Sequence, residues 1–556
     1  MNPLQRLFIL FFLFALSCQL PAPNEDDVTE PVKAPFVWKN ATIYFLLTDR
    51  FYNGDKSNDL NFDRTKETAP LRGFMGGDIK GITQKIEEGY FNDLGVNAIW
   101  FTPVVEQIHG GVDEGTGFTY GYHGYWTKDW TALDPNFGTE EDLLQLVQLA
   151  HKNGIRIILD VVVNHTGPVT EQDPLWTGWA RTGPTCTYKN METTVNCTLV
   201  DNLPDIYTES DKEVALPKFL LDKWEREGRK ERELKELDEF FERTGYPRSP
   251  RHYIIKWLVD LIKKYGVDGF RVDTAKHTEP YVWKELYEEA VKTFNAWKQV
   301  NREEVLDDNI FYMFGEVSDY NISGERFYNY GDQKFDFFKD GLNGLINFWF
   351  KYDAKIDYES LFSKYSNHLN GGLKGKSVVN YISSHDDANP FDQLRENPIE
   401  AGTKLLLCPG EVQIYYGDET LRPLNEDATG DAKLRSFMNW EELGGNIERN
   451  GFKIKDVLSH WQKIGTFRNA HPSIGAGVHQ MLTEQPYIFK RTYSTNNYSD
   501  KVIVGLDLPG GEKKISVKVI FTAGEKLKDY YSDQKVDVIN DSIKIDSPFD
   551  IVLLGN

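Results

Sequence analysis

Cysteine is scarce in this chain, with four in 556 residues, at positions 18, 186, 197 and 408. A fold stapled throughout by disulfides is thereby excluded. Basic residues are outnumbered, 63 Lys and Arg against 85 Asp and Glu, for a formal net charge of −22. That balance repels nucleic acid and anionic membrane faces, so neither is expected as a partner, whereas a neutral ligand would be indifferent to it. Long apolar runs are also missing: the longest candidate, Leu7 to Leu16, is too short to span a bilayer as a mature helix. No internal repeat is present. What remains is a globular composition, 40% hydrophobic and 13% aromatic, enough for one large α/β domain and one or two smaller ones.

The first 18 residues read as an export signal, with Arg6 ahead of the apolar run and Ser17-Cys18 behind it. Ala15-Leu16-Ser17-Cys18 resembles the bacterial lipoprotein cleavage motif, which implies lipidation at Cys18. Residues 19–37, polar and Pro-rich at first, suit a flexible tether. Gln19 after the cysteine points, through the same resemblance, to the outer membrane; the alternative is an ordinary signal peptide and a soluble periplasmic or secreted protein. In an exported protein, Cys186 and Cys197 suggest a disulfide stapling one loop. Cys408 in Leu405-Leu406-Leu407-Cys408 reads as a buried small hydrophobe.

From Ala41 short apolar strands alternate with helical patterns. Strands are expected at 43–47, 98–102, 156–162, 269–272, 311–315, 334–337, 378–382 and 413–415, which favours a closed (β/α)8 barrel. The expected division is a first barrel part at 38–165, an inserted subdomain at 166–250, a second barrel part at 251–470 and a C-terminal antiparallel β-sandwich at 471–556. The insertion is far longer than an ordinary βα loop. Its first half, with Trp176 and Trp179, is placed to wall a cleft, and its charged stretch from Asp222 to Arg243 reads as a solvated helix laced with i,i+4 pairs. A helix from about Asp456 to Phe467 should close the barrel.

Several strands turn polar at their C-terminal ends, the active face of such a barrel. Gly269-Phe270-Arg271-Val272-Asp273 puts Arg271 and Asp273 on one side of a strand by the period of two. As a merely structural ion pair they would hardly repay their desolvation. Gly315-Glu316 and Ser383-Ser384-His385-Asp386 end two further strands, and Asp160-Val161-Val162-Val163-Asn164-His165 another. Three acids on strands four, five and seven converge on one cavity.

This ordered set, with Leu203-Pro204-Asp205 in the insertion, resembles the α-amylase family of glycoside hydrolases over the whole chain after about Trp38, with the closest likeness to exported bacterial members. The resemblance implies Asp273 as nucleophile, Glu316 as general acid and base, and Asp386 as the third carboxylate. It implies Arg271 as partner of the nucleophile, His165 and His385 as ligands of the sugar at the cleavage point, Tyr122 as the platform beneath that sugar, and Lys276 and His277 on the leaving-group side. It further implies calcium at Asn164, Asp205 and the carbonyl of His277, and a second calcium at Asn53, Asp55, Asn58, Asp59 and Asp78, where the bland alternative is an Asx-rich turn. The implied substrate is an α-1,4-glucan cleaved internally with retention, by a monomer. Two alternatives stay open: a cyclodextrin- or pullulan-cleaving or transglycosylating enzyme of the same family, and a non-catalytic glucan-binding lipoprotein. On chemical grounds, Arg271 should keep Asp273 ionised while aromatic surroundings and neighbouring acids raise the pKa of Glu316.

Overall fold

The computed structural model describes residues 34–556 apart from Val519; the export segment, Cys18 and the tether as far as residue 33 lie outside the described residues. Among the described residues no helix is long and apolar enough to cross a membrane.

Eight parallel strands close into a barrel: β1 (Thr42–Leu46), β2 (Ala98–Phe101), β3 (Arg156–Val161), β4 (Gly269–Val272), β5 (Tyr312–Gly315), β6 (Gly344–Asn347), β7 (Ser377–Tyr381) and β8 (Glu411–Tyr415). Each pairs with its neighbours in sequence, and β8 closes on β1. Every residue of these strands is buried, which fits near-continuous apolar runs covered on both faces. Arg271, on β4, is among the largest fully buried side chains. It lies within the barrel at the level where the strand ends turn polar.

The sixth strand is not where the sequence suggested. Lys334–Phe335 pairs instead with Tyr328–Asn329 in a small hairpin, and the barrel strand is Gly344–Asn347. The link from β5 to β6 contains short 3-10 turns and this hairpin in place of a long helix, so the alternation that marks the other strands is lost there. The true strand is only four residues long, opens on glycine and ends on asparagine, a poor β signature by itself.

Helix Pro250–Tyr265 leads into β4. It has proline at its first position and ends at Gly266 in the left-handed conformation, φ 73°. A Cβ at Gly266 would stand 2.1 Å from the Trp297 ring, so the turn that aims β4 into the barrel admits only glycine. The expected closing helix runs from Ile454 to Ala470.

In the inserted segment, Ala180–Arg181 pairs with Asp205–Ile206, and Cys186 and Cys197 are joined in a disulfide. Trp176 and Trp179 do not wall a cleft. They are buried against Trp257 of helix Pro250–Tyr265, with Trp179 stacked on it at 5.9 Å, so these rings fasten the insertion to the barrel. The charged stretch forms two helices, Lys218–Arg226 and Lys230–Thr244. It is more than a solvated face: Lys223 Nζ lies 2.5 Å from both Glu106 and Asp129, two buried carboxylates.

Beyond the closing helix, six antiparallel strands form one sheet and Gly511–Ser516 pairs with Ser542–Ser547 in a second. Ile488, Ile503, Ile515, Ile543 and Val552 fill the core between them. Strand Gly511–Ser516 stops there because Val517 and Phe521 enter that core through a turn closed by Phe521 N–H to Val517 C=O. The fully buried Arg491 ties this sheet to the barrel, donating to the carbonyls of Ile474 (2.6 Å) and Leu407.

Candidate active site

The ladder between β4 and β5 sets Val272 against Gly315. The next residues on each strand, Asp273 and Glu316, are therefore neighbours across one strand spacing of about 4.8 Å. Arg271 binds both. Its Nη1 donates to Asp273 Oδ1 at 2.7 Å, and its Nη2 lies 3.0 Å from Glu316 Oε2. The same guanidinium reaches Asp160 on β3 at 2.9 Å.

One oxygen of each of these two carboxylates is thus occupied and one is open. Glu316 Oε2 also accepts the Thr274 N–H at 2.8 Å. Thr274 adopts a left-handed φ of 45°, a costly conformation for a β-branched residue, and it aims that N–H at the carboxylate. Among the described residues Asp273 Oδ2 and Glu316 Oε1 receive no hydrogen bond.

Burial pushes the Glu316 carboxyl up to about 8, with Arg271 opposing and the charges of Asp273 and Asp386 adding to it. Asp386 is the most open of the three acids, its side chain 38% exposed, and Ser384 Oγ donates to it at 2.9 Å. Partial desolvation works against its ionised form, but His385, Arg271, Arg435 and Ser384 outweigh that and hold its pKa below the usual value. Two acids of one centre, Glu316 and Asp386, are therefore driven in opposite directions.

His165 and His385 both lie at this centre. Burial lowers the pKa of both, that of His385 to about 4, and the Nδ1 of each is buried without a hydrogen-bond partner. The two tyrosines of Tyr122-His123-Gly124-Tyr125 differ from expectation. Tyr122 is fully buried, with the Arg50 guanidinium 4.0 Å above its ring. Tyr125 is the half-buried ring, stacked on His385 at 5.3 Å, its hydroxyl donating to Asp160 at 2.9 Å. His123 orients it by accepting the Tyr125 N–H on Nδ1 at 3.1 Å. Lys276 reaches the Ser318 carbonyl at 3.2 Å, and the His277 ring lies 3.0 Å from the Thr194 carbonyl of the disulfide-closed loop.

Asp160, which opens the run Asp160 to His165, is bound to the same guanidinium. It is completely enclosed, held by Trp100, Tyr125 and Arg271. Burial raises its pKa to about 7 against the pull of Arg271. Its signal in the sequence was an acid one residue before the end of a largely apolar strand.

Two of the donors expected to hold calcium, Asn164 and Asp205, come together beside this centre. Asn164 and Asp205 are adjoining, since Ile206 N–H donates to the Asn164 carbonyl at 2.8 Å and His165 bridges to Asp205. Thr278, next to His277, approaches Asn164 Oδ1 at 3.4 Å. Asp205 Oδ2 is buried 2.9 Å from Arg181 Nε, Asn164 Nδ2 is buried without a hydrogen bond, and burial pushes Asp205 up to about 8, with Arg181 opposing. A buried carboxylate beside amide and backbone oxygens fits a hard cation. No group of three or more His, Cys, Asp or Glu that could hold a metal exists among the described residues; this donor set is mostly neutral oxygen. In the loop after β1, Asn53 and Asn58 each leave a buried Oδ1 unpartnered near Asp59 and Asp78. Asp55 does not join them, being paired with Lys80 at 2.6 Å.

The sequence profile described as "Alpha amylase, catalytic domain" matches residues 45–457. The chain is 37% identical over 533 residues to the periplasmic alpha-amylase of Escherichia coli K12, covering 85% of this chain and 72% of that protein. It is 27% identical over 498 residues to the cyclomaltodextrin glucanotransferase of Thermoanaerobacterium thermosulfurigenes, covering 88% of this chain and 62% of that protein, so it spans less than two thirds of that relative. The fold is similar to that of the alpha-amylase from Geobacillus thermoleovorans solved with acarbose, at a TM-score of 0.64 and 23% identity, over 94% of this chain and 99% of that one.

Proposed function

We propose, since this chain belongs to the alpha-amylase family of glycoside hydrolases and is an enzyme of that type, that it cleaves internal α-1,4-glucosidic bonds of starch, glycogen or maltodextrins with retention of configuration. The observation that carries this reading is the pair Asp273 and Glu316 on adjacent strands, bridged by Arg271, with one oxygen of each left open.

In this reading Asp273 Oδ2 attacks the anomeric carbon while Glu316 Oε1 passes its proton to the departing glycosidic oxygen. A covalent glycosyl ester on Asp273 results. Glu316, now ionised, takes a proton from water, whose oxygen attacks the same carbon and releases Asp273. Neighbouring strands supply the short separation that retention requires. Asp386, kept ionised, faces the positive charge that develops on the ring. His165, His385 and the Tyr125 ring bind the sugar at the cleavage point, with Tyr125 taking the platform role that Tyr122 cannot fill from beneath Arg50.

Asn164, Asp205 and the His277 carbonyl would hold one calcium, and Asn53, Asn58, Asp59 and Asp78 a second. When bound, the ion supplies positive charge and oxygen coordination that fasten the insertion to the barrel. The chain is read as exported to the bacterial periplasm, the location named for its E. coli relative, with lipidation at Cys18 and outer-membrane attachment as the finer part. The division at residues 38, 166, 251 and 471 and a monomeric state belong to the same reading.

A second reading is favoured by likeness to several cyclomaltodextrin glucanotransferases: the same intermediate passed to a sugar hydroxyl in place of water. A purely binding role would require the loss of a carboxylate, and all three are present. Product analysis on soluble starch, end-labelled maltodextrin, pullulan and cyclodextrin, with wild type and Asp273→Asn, separates these readings. Internal cleavage of starch to α-configured products, abolished in the variant, is expected. Intact starch with rapid opening of cyclodextrin would reject the amylase assignment.

A further inference from the structure

On the Glu316 side of the reacting centre the cleft opens into a cavity of about 480 Å3, walled by Glu316, Ser318, Asp319, Trp349, Tyr352 and Asp386 among others. Two large rings face solvent there: Trp349 is 45% exposed and Tyr352 40%, with centroids 5.6 Å apart at 62°. Isolated exposed aromatics need no explanation. Two in one wall of a cavity that also holds the general acid call for one.

The intervening residues show why these rings point outward. In the turn Phe350–Asp353, Phe350 is fully buried and Lys351 is pinned. The Lys351 ammonium, its side chain 3% exposed, is ion-paired with Asp387, whose other oxygen accepts the Tyr381 hydroxyl at 2.7 Å. Phe350 and Lys351 together hold the turn in place, so Trp349 and Tyr352 are presented and not collapsed. Asp387 directly follows Asp386, so the platform and the third carboxylate share one support.

The side of the bond follows from the chemistry. The group that protonates the departing oxygen faces the leaving half of the glucan, and this cavity contains Glu316 and the residues after it but not Asp273. Lys276 closes on the same wall through Ser318. The rings are thus placed on the side of the leaving chain.

Resting on the glucan-hydrolase reading, we propose that Trp349 and Tyr352 form a stacking platform for the glucose units of the leaving-group side. It determines where a chain is cut, and how long the leaving fragment stays to compete with water for the glycosyl-enzyme. Flat apolar sugar faces lie on the two rings, while Ser318 and Asp319 meet hydroxyls at the rim. Lys351 and Asp387 are positioning residues for that platform.

The test compares wild type, Trp349→Ala, Tyr352→Ala and Trp349→Phe on two substrates: end-labelled maltoheptaose, and α-maltotriosyl fluoride, whose leaving group has no ring to stack. For Trp349→Ala, KM on maltoheptaose should rise roughly tenfold, the cut should move along the chain, and transfer products at high substrate should fall several-fold. Tyr352→Ala should do the same to a smaller degree. Turnover of the fluoride should stay within about twofold, which also certifies the fold, and Trp349→Phe should restore most of the wild-type pattern. An unchanged cut position and KM in both alanine variants overturns the proposal, as does an equal loss on both substrates, which would mark the rings as structural. A wild type inactive on both substrates would reject the glucan-hydrolase reading itself.

Discussion

Nη1 of Arg271 donates to Oδ1 of Asp273 at 2.7 Å, and that bond decides which oxygen of the carboxylate stays open to react. The guanidinium does this while also contacting Asp160 and Glu316. Only a planar fork of several donors can serve three carboxylates at once; an ammonium is a single point. Arg271→Lys should therefore lower kcat at least about 100-fold, because misplacement of a reacting group by an ångström has that effect. Steady-state kinetics on soluble starch, with thermal melting to confirm the fold, checks this.

The pH profile follows from Glu316. Its carboxyl is pushed up to about 8 by burial and must be protonated to act on the departing oxygen. The proton is present below that value and lost above it, so kcat/KM should fall by tenfold per pH unit on the basic side of about 8. Glu316→Gln should remove this basic limb along with most of the activity on glucans. An aryl glycoside whose leaving group needs no protonation should keep more of its rate in that variant.

Tyr125 and Tyr122 separate platform from scaffold. Tyr125→Ala should raise KM and lower kcat together while the melting temperature changes little, since the ring is half-buried. Tyr122→Ala removes a fully buried ring from beneath Arg50 and should destabilise the protein by about 3 to 5 kcal/mol. Parallel kinetics and thermal melts of the two variants distinguish the roles.

For calcium, a chelator should lower the melting temperature of the wild type by several degrees, since saturation at 100 times Kd stabilises by about 2.7 kcal/mol. Asp205→Asn should melt lower without chelator. It should respond less to added calcium, because its buried carboxylate is gone. Calorimetry with and without metal reads both.

Much of the barrel was legible because β1 to β5, β7 and β8 carry apolar runs between helical patterns. The sixth strand was not, since its neighbour in sequence is a hairpin and Gly344-Leu345-Ile346-Asn347 has no distinctive periodicity. The three carboxylates could be read from polar residues ending apolar strands. What escaped were roles set by packing. Tyr122 and Tyr125 have the same chemistry three residues apart, and only the placement of Arg50 and His385 tells them apart. Asp160 looked like one more strand-end acid until the enclosure by Trp100, Tyr125 and Arg271 was visible. Trp176 and Trp179 read as part of a cleft wall, and only the stack on Trp257 places them in the core.

The central claim is that Asp273 is the nucleophile of a retaining glycosidase, and trapping its covalent intermediate tests that most directly. Incubation with a fluorinated α-glucosyl fluoride that forms the intermediate faster than water removes it, followed by peptide mass mapping, should place one glycosyl unit on the peptide carrying Asp273, with none on that peptide in Asp273→Asn. A label on Glu316 or Asp386, or active turnover that yields inverted product with no label anywhere, would contradict the account.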